Sequence, residues 1–508
     1  MKFRITAASL AVAATTLFAP KADAKNILVV IVDDMSVDKV GAYAADYAGY
    51  APTYLPDTPT VDGLAAAGLR FTRAWATPLC SPTRASLQTG VFPFRHEVGT
   101  ALGESGPASA GVDPNSFNML AETFAGFGYE TGFFGKWHLG TEDANGDFGV
   151  PALGTFTVEP HPARSGWDRY FGILGGYPGA GRSFTDWHRI GWTMNDDGYS
   201  ADETNHLTNR TSKVATDWIN DRTGDWLAVV SFSAPHSPDT GSSSWEYGDE
   251  AGASWRSTTD LACLATQNCS NEAAAVYQAL AEHVDLELED LLNDIDPAKM
   301  EDTLIFYMGD NGTPIAVQES VFNQVGRGKG TTYENGIRVP LIVADGDTWL
   351  NNVSGSILSP GRVVEAGVNT MDIFQTAHNE ALLISAAFVD SLTFSDCFDT
   401  TDVFCGRGRQ YGYSETFTTS GGNISTAKIA VRYGHDKLVA EYCPALGGCM
   451  AEEFFDTSTD FFEQSPQAWV GVRADRLRDY FTNLHTPVLT SWAYDGGALV
   501  GFCGAPCP

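Results

Sequence analysis

Four short stretches of the sequence hold side chains suited to chemistry. Asp33-Asp34 and Asp310-Asn311 each set oxygen donors at the end of an apolar run. Oxygen-only ligands select calcium or magnesium over zinc or copper, although either pair alone reads better as a turn or a helix cap. Cys80 opens Cys80-Ser81-Pro82-Thr83-Arg84, just before a helix that Pro82 would start. The free N–H groups of a helix N-terminus suit an anion, and Arg84 adds a permanent cation one turn in. Gly135-Lys136-Trp137-His138-Leu139-Gly140 puts a cation and a titratable ring two residues apart at a strand end, so that both face one cleft. Lys329 lies in Gly326-Arg327-Gly328-Lys329-Gly330, a glycine-rich loop that lacks the Walker spacing of a nucleotide site. His236 follows a further apolar run through Ala234-Pro235.

These residues need elements to position them. Residues 26–32 form an unbroken apolar run, the pattern of a buried parallel strand. Strands are expected at 69–75, 129–134, 226–232, 303–308 and 339–343. Helices are expected at 59–67, 82–89, 116–125 and 272–292, the last with apolar residues at 276, 280, 284, 288 and 291. Strands and helices alternate, which predicts an α/β fold with a large, mostly parallel sheet sandwiched by helices. Asp33, Asp34, His236, Asp310 and Asn311 follow strand C-termini, the edge at which open α/β sheets bind ligands. Residues 397–508 carry three cysteine pairs, β-like runs at 428–432 and 437–442, and a helical stretch at 475–484. They read as a smaller C-terminal α+β subdomain. The resulting division is a signal peptide at 1–24, a catalytic domain at 25–396 and the subdomain at 397–508. The Gly/Ser-rich stretch 241–259 reads as a surface loop.

The chain has 508 residues, with 63 acidic and 31 basic side chains and a net charge of −32. Apolar residues make up 43% and charged residues 19%, a globular balance. So acidic a surface argues against nucleic acid or anionic membrane as a partner, while a few local cations still allow an anionic substrate. Lys2 and Arg4, the mostly apolar residues 5–18 and Ala22-Asp23-Ala24 read as an export signal, too short to span a membrane. The expected location is therefore secreted or periplasmic. Eight of the nine cysteines fall into close pairs, Cys263/Cys269, Cys397/Cys405, Cys443/Cys449 and Cys503/Cys507. An oxidising compartment would make these four short disulfide loops. Cys80 is left over, either as a buried thiol or as a chemically special one.

Together these stretches resemble the type I, formylglycine-dependent sulfatase family of the alkaline phosphatase superfamily. The Cys-x-Pro-x-Arg signature stands as Cys80 to Arg84, followed by Ser86, Leu87 and Thr89-Gly90. Asp33-Asp34, residues 135–140, Pro235-His236, Asp310-Asn311-Gly312 and Lys329-Gly330 occur in the family's order, and Gly166-Trp167-Asp168 resembles its Gly-Phe-Asp element. The match runs from about residue 26 to about 345, and more weakly to the end. Two departures stand out. Glu334-Asn335-Gly336 replaces the more usual Glu-Gly-Gly, and Glu97 stands where glycine is common.

The resemblance implies an alkaline-phosphatase-like fold and a sulfuric ester hydrolase. A maturation enzyme would oxidise Cys80 to formylglycine, whose hydrate attacks sulfate with one hydroxyl and expels it with the other. It also implies that Asp33, Asp34, position 80, Asp310 and Asn311 bind a divalent cation, Ca²⁺ first and Mg²⁺ second. Arg84 and Lys136 would stabilise developing charge, His138 would act as a base, and His236 and Lys329 would contact sulfate and protonate the leaving oxygen. The expected substrate is a sulfated polysaccharide or its oligosaccharides, whether glycosaminoglycan or algal galactan. Alternatives are an arylsulfatase on small aryl sulfates, and a phosphonate monoester hydrolase or phosphodiesterase of the same superfamily. The pairing of Lys136 and Lys329 with His138 and His236 favours a sulfate monoester over a diester. A secreted binding module that had lost catalysis would lack part of this set. His96, His161, Arg164, His188 and Arg189 are expected to be loop residues that contact substrate.

Overall fold

The run Asn26–Val32 (β1) is buried along its whole length in the computed structural model. The structure describes residues 25–485 apart from 45, 47–52, 104–110, 141–153, 157–158, 179–181, 194–195, 239–244, 320–325, 353–354, 383–389, 406–408, 421–422, 444–448, 461–462 and 469–470. A strand with no polar alternation needs apolar cover on both faces, and β1 has it. Leu28, Val30 and Val32 pack with helices Pro59–Ala67, Leu207–Asn220 and Glu272–Asp294. Ile27, Val29 and Ile31 pack on the opposite side with helices Cys80–Thr89, Leu120–Ala125 and Asp372–Leu382.

The other strands of this sheet are Gly68–Trp75 (β2), Glu130–Lys136 (β3), Gly154–Phe156 (β4), Arg169–Ile173 (β5), Trp187–Thr193 (β6), Asp196–Glu203 (β7), Trp226–Phe232 (β8), Thr303–Gly309 (β9), Leu341–Asp345 (β10) and Arg362–Asn369 (β11). Among the described residues the sheet has 11 strands in the order β11-β2-β10-β9-β1-β8-β3-β5-β6-β7-β4. The run β9-β1-β8-β3-β5 is parallel throughout. Strand β10 joins antiparallel to β9 and β2, and β6, β7 and β4 form an antiparallel edge. The expected α/β sandwich is thus present. In register, Val32 lies opposite both Phe232 and Gly309, and Gly135 lies opposite Ser231. The ends of β1, β3, β8 and β9 therefore converge, each followed or closed by a residue singled out above.

A second sheet of four antiparallel strands follows: Tyr411–Ser420 (β12), Asn423–Tyr433 (β13), Asp436–Cys443 (β14) and Cys449–Asp456 (β15). Helix Val472–His485 packs on it through Ala474 and Leu477 against Tyr413, Val431 and Leu438. Several bounds differ from the sequence reading. The expected helix 116–125 is helical only over Leu120–Ala125, because the Glu122 side chain accepts the Met119 N–H and starts the helix there. Cys80 lies inside its helix as the first residue, and Gly90 closes that helix at φ 70 by donating its N–H to the Ser86 carbonyl. The strand expected at 339–343 begins at Leu341.

Cys263–Cys269 and Cys397–Cys405 form two of the four expected disulfides. Cys443 and Cys449 are opposite one another across the β14–β15 pair. Their side chains, Cys503, Cys507 and residues 1–24, where a leader is expected, lie outside the described residues. No described helix is long and apolar enough to cross a membrane.

The convergence of strand ends depends on close backbone approach. Gly135 sits at φ +105, and a Cβ there would lie 2.0 Å from the Ser231 carbonyl oxygen. Gly135→Ala is expected to lower the unfolding free energy by about 2–4 kcal/mol. Gly224→Ala, where a Cβ meets nothing within 4 Å, should stay within about 0.5 kcal/mol of the parent. Denaturant melts of both variants make the comparison, and equal stabilities would contradict the packing argument.

Candidate active site

Asp33 and Asp34 leave β1 at the level where β9 hands over to Asp310. The two ends are stitched together: the Asp34 N–H donates to Asp310 Oδ1 at 3.1 Å, and the Asp310 N–H donates to the Val32 carbonyl at 3.1 Å. Asp34 takes a left-handed conformation, φ 61, and the Tyr277 hydroxyl donates to its carbonyl at 2.8 Å. Asn311 donates through Nδ2 to Asp34 Oδ1 at 2.7 Å.

Arg84 reaches across from the Cys80 helix. Its Nε donates to Asp310 Oδ2 at 2.9 Å, and its Nη1 donates to the Lys136 carbonyl at 2.7 Å and to Ser231 Oγ at 2.6 Å. One guanidinium thus ties β9, β3 and β8 together. Lys136 Nζ pairs with Asp33 Oδ2, and Lys329 Nζ lies 2.5 Å from Asp34 Oδ1. His236 donates from Nδ1 to the Ser237 carbonyl at 2.6 Å, which leaves Nε2 directed at Asp34 Oδ2, 3.8 Å away. The side chains of Asp33, Asp310 and Lys136 are 0% exposed, whereas those of Lys329 and His236 are 18% and 20% exposed. The first three form a floor and the last two a mouth.

Cys80 Sγ lies 3.2 Å from His138 Nδ1, and His138 Nε2 lies 2.9 Å from the Leu102 carbonyl oxygen. A carbonyl can only accept, so Nε2 carries the proton. Nδ1 then presents a lone pair to position 80, the geometry of a base. Burial pushes the His138 pKa well below the usual imidazole value, and Lys136 adds to the effect, so the ring is neutral.

The remaining shifts follow the same balance of burial and neighbours. Burial pushes the Cys80 thiol up, against the pull of Lys136 and Lys329. Burial and then repulsion from Asp33 raise Asp310, and Arg84 only partly offsets them. Burial would also raise Asp34, but Lys329, His236 and Lys136 together hold this carboxyl below its ordinary range. His236 is lowered by burial and then by Lys329. Burial would lower Lys329, but Asp34, Cys80 and Asp33 together raise it.

The donor set fits a hard divalent cation. Ligand atoms of Asp33, Cys80 and Asp310 lie within 4.8 Å of one another. Asp33 Oδ1 and Asn311 Oδ1 are buried with no hydrogen-bond partner, a costly state for a polar oxygen unless an ion or donor satisfies it.

All ten residues marked in the sequence as catalytic or metal-binding meet in this one place. The proposed substrate contacts fare differently. His96 is buried, bonded to Ser86 Oγ at 3.0 Å and accepting the Val98 N–H at Nδ1. His161 is buried too, accepting from Trp137 Nε1 at 3.1 Å and donating to the Val112 carbonyl at 2.9 Å. Both belong to short helices, Pro93–His96 and His161–Arg164, and neither is a loop residue on the surface. Arg189 lies on β6 and pairs with Glu203 at 3.1 Å. Arg164 ends the same short helix as His161 and helps depress its pKa. The His188 side chain lies outside the described residues. Glu97, where the resemblance led to glycine, takes φ 64. The sequence reading missed Ser231 and the Leu102 carbonyl. The first stands in an apolar strand and the second is a backbone atom, so neither left a motif.

The protein family described as Sulfatase matches residues 25–379. Arylsulfatase A of Bos taurus is 39% identical over 149 residues, 29% of this chain and 25% of that protein. N-acetylgalactosamine-6-sulfatase of Homo sapiens is 27% identical over 373 residues, 69% of this chain and 61% of that protein. The chain thus spans less than two thirds of the length of either relative. A solved structure from the metabolism of multiple glycosaminoglycans by Bacteroides thetaiotaomicron superposes with a TM-score of 0.68 at 16% identity, covering 91% of this chain and 94% of that one. Another, solved in complex with a neocarrahexaose, superposes with a TM-score of 0.63 at 19% identity over 93% and 95%. At these identities the likeness is one of fold.

The reassignment of His161 is testable through pH. Burial, with Arg164 adding to it, lowers its pKa from 6.5 to about 4. The unfolded chain therefore takes up this proton first as pH falls. The stability His161 confers is complete above about pH 6.5 and is lost as pH drops toward about 4. His161→Gln should make the acid loss shallower by about one proton and leave KM within about twofold. Denaturant melts from pH 4 to 7 and steady-state kinetics read the two quantities. A raised KM with an unchanged pH slope would return His161 to the substrate.

Proposed function

The chain belongs to the sulfatase family, and from that premise we propose that it hydrolyses sulfate monoesters through a formylglycine formed at position 80. The observation that carries this reading is the pairing of Cys80 Sγ with His138 Nδ1, a nitrogen that can only accept. Here Sγ stands in for an oxygen of the hydrated aldehyde. That residue offers two hydroxyls. One attacks sulfur while Asp310 takes its proton, and the ester oxygen departs as an alcohol. The second hydroxyl then gives its proton to His138 Nδ1, the carbonyl re-forms and sulfate leaves. Asp310 suits the first transfer because its pKa is already raised. Arg84 and Lys136 hold Asp310 and Asp33 in place and balance the charge that develops. Lys329 and His236, at the mouth, bind the sulfate oxygens and supply the proton to the leaving oxygen.

Asp33, Asp34, Asp310, Asn311 and the oxygen at position 80 would hold a calcium ion. When bound, it would polarise sulfate and lower the pKa of the attacking hydroxyl. The proposed substrate is a sulfated polysaccharide or its oligosaccharides. Structural neighbours from glycosaminoglycan metabolism and in complex with a neocarrahexaose support it. The leader at 1–24 fits export to the periplasm or medium, followed by a catalytic domain over 25–396 and a subdomain over 397–508, with maturation of Cys80 by a formylglycine-generating enzyme. Sulfate release from a panel of sulfated glycans tests the reading. Release from none of them, with turnover of phosphodiesters instead, would overturn it.

Two predictions concern the site. Calorimetric titration of chelator-stripped enzyme with Ca²⁺ should show one site, lost in Asp33→Ala and Asp310→Ala together with activity; full activity without metal would contradict this. A sugar alkoxide needs a proton as the S–O bond breaks, whereas a nitrophenolate does not. His236→Ala should therefore lose about 10²–10⁴ in kcat/KM on a sulfated sugar and far less on nitrophenyl sulfate. Equal losses would make His236 a sulfate binder and Lys329 the acid.

A further inference from the structure

Lys437 lies on β14, in the second sheet, with its side chain 0% exposed. Its Nζ lies 2.9 Å from Glu334 Oε1 and 2.7 Å from Glu463 Oε1, and 4.9 Å from the centroid of the Trp75 ring. Glu463 Oε2 accepts the Glu334 N–H at 2.6 Å, so the same residue is held by side chain and backbone together. An ammonium buried between two carboxylates exists only where all three are positioned at once.

Glu334 begins the helical turn Glu334–Ile337, five residues after Lys329. The Gly336 carbonyl of this turn accepts the N–H of Gly312, which follows directly on Asp310-Asn311. The loop is held a second time from the same sheet. Glu453 on β15 accepts from the Tyr333 hydroxyl at 2.8 Å and lies 3.5 Å from Arg327 Nη2, while the Arg327 guanidinium stacks 4.3 Å over the Tyr333 ring. Between these anchors the Lys329 N–H donates to the Thr313 carbonyl at 3.1 Å and the Gly330 N–H to the Pro78 carbonyl at 2.8 Å. Glycines at 326, 328 and 330 leave little side-chain packing of the loop's own to set its path.

We propose that Lys437 is a positioning residue for turnover: through Glu334 it holds the 326–336 loop so that Lys329 reaches Asp34 and the sulfate. The inference rests on the reading of Lys329 given above. It assigns the second sheet a part in the reaction although none of its described side chains enters the site.

The test is a double-mutant cycle in kcat/KM on nitrophenyl sulfate, with concentrations corrected for folded protein by circular dichroism. Lys437→Gln should lower kcat/KM by about 10–100-fold, the scale of an ångström of misplacement. Tyr333→Phe, a gentler change, should lower it by about threefold, as for one lost hydrogen bond. In a Lys329→Ala background each loss should shrink to within about twofold, because the group being positioned is gone. Lys437→Arg, which keeps the charge, should recover most of the activity. Losses of full size in the Lys329→Ala background would make the cluster purely structural and overturn the inference while leaving the role of Lys329 intact. Full activity of Lys329→Ala itself would overturn both. If Lys437→Gln does not fold, Glu334→Gln, which weakens the same ion pair and keeps the side-chain shape, carries the cycle.

Discussion

Three carboxylates and three cations share a space from which water is largely excluded, and neither set is stable there without the other. Asp33, Asp34 and Asp310 would repel one another without Lys136, Lys329 and Arg84, and each cation would be stranded without its acid. Removing one partner of such a pair costs about 3–5 kcal/mol, more than most single contacts in a protein. The architecture can be read as the means of meeting this constraint. The parallel core brings the ends of β1, β3, β8 and β9 side by side. The Cys80 helix inserts Arg84 between them, and the loop at 326–336 closes the set with Lys329.

The same constraint separates floor from mouth. The floor is fully buried, so its charges are fixed in pairs and its hydrogen bonds strengthen in a low dielectric. His138 is held neutral there, in one tautomer, by a backbone carbonyl. His236 and Lys329 keep partial exposure, where a substrate anion can reach them. An acidic protein thus holds a local cluster of cations in one cleft, which suits the anionic ester proposed above and fits field focusing.

Much of this was legible in the sequence, for physical reasons that differ by element. The unbroken run in β1 announces a strand covered on both faces, and its alternate residues divide between two cores. The ten site residues stood out through the resemblance of their motifs, taken in order, to the sulfatase family, since either acid pair alone reads as a turn or a helix cap. Less was legible where polarity misled. His96 and His161 look like surface residues, yet each is buried with both ring nitrogens bonded. The edge strands β6 and β7 went unread because they alternate with many polar residues and lack a core-strand run. Ser231, the Leu102 carbonyl and the Lys437 cluster act through tertiary contact between distant segments, which no local spacing records.

The account depends most on the chemical identity of residue 80. In the proposed chemistry the cysteine there is only a precursor, and the aldehyde that would replace it carries the reaction. The direct measurement is mass analysis of the peptide containing residue 80 from active enzyme, with an aldehyde-reactive label, across preparations of different specific activity. The account predicts a peptide lighter than the encoded cysteine form, labelled by the aldehyde reagent, in an amount proportional to activity. Fully active enzyme carrying only unmodified Cys80 would contradict it.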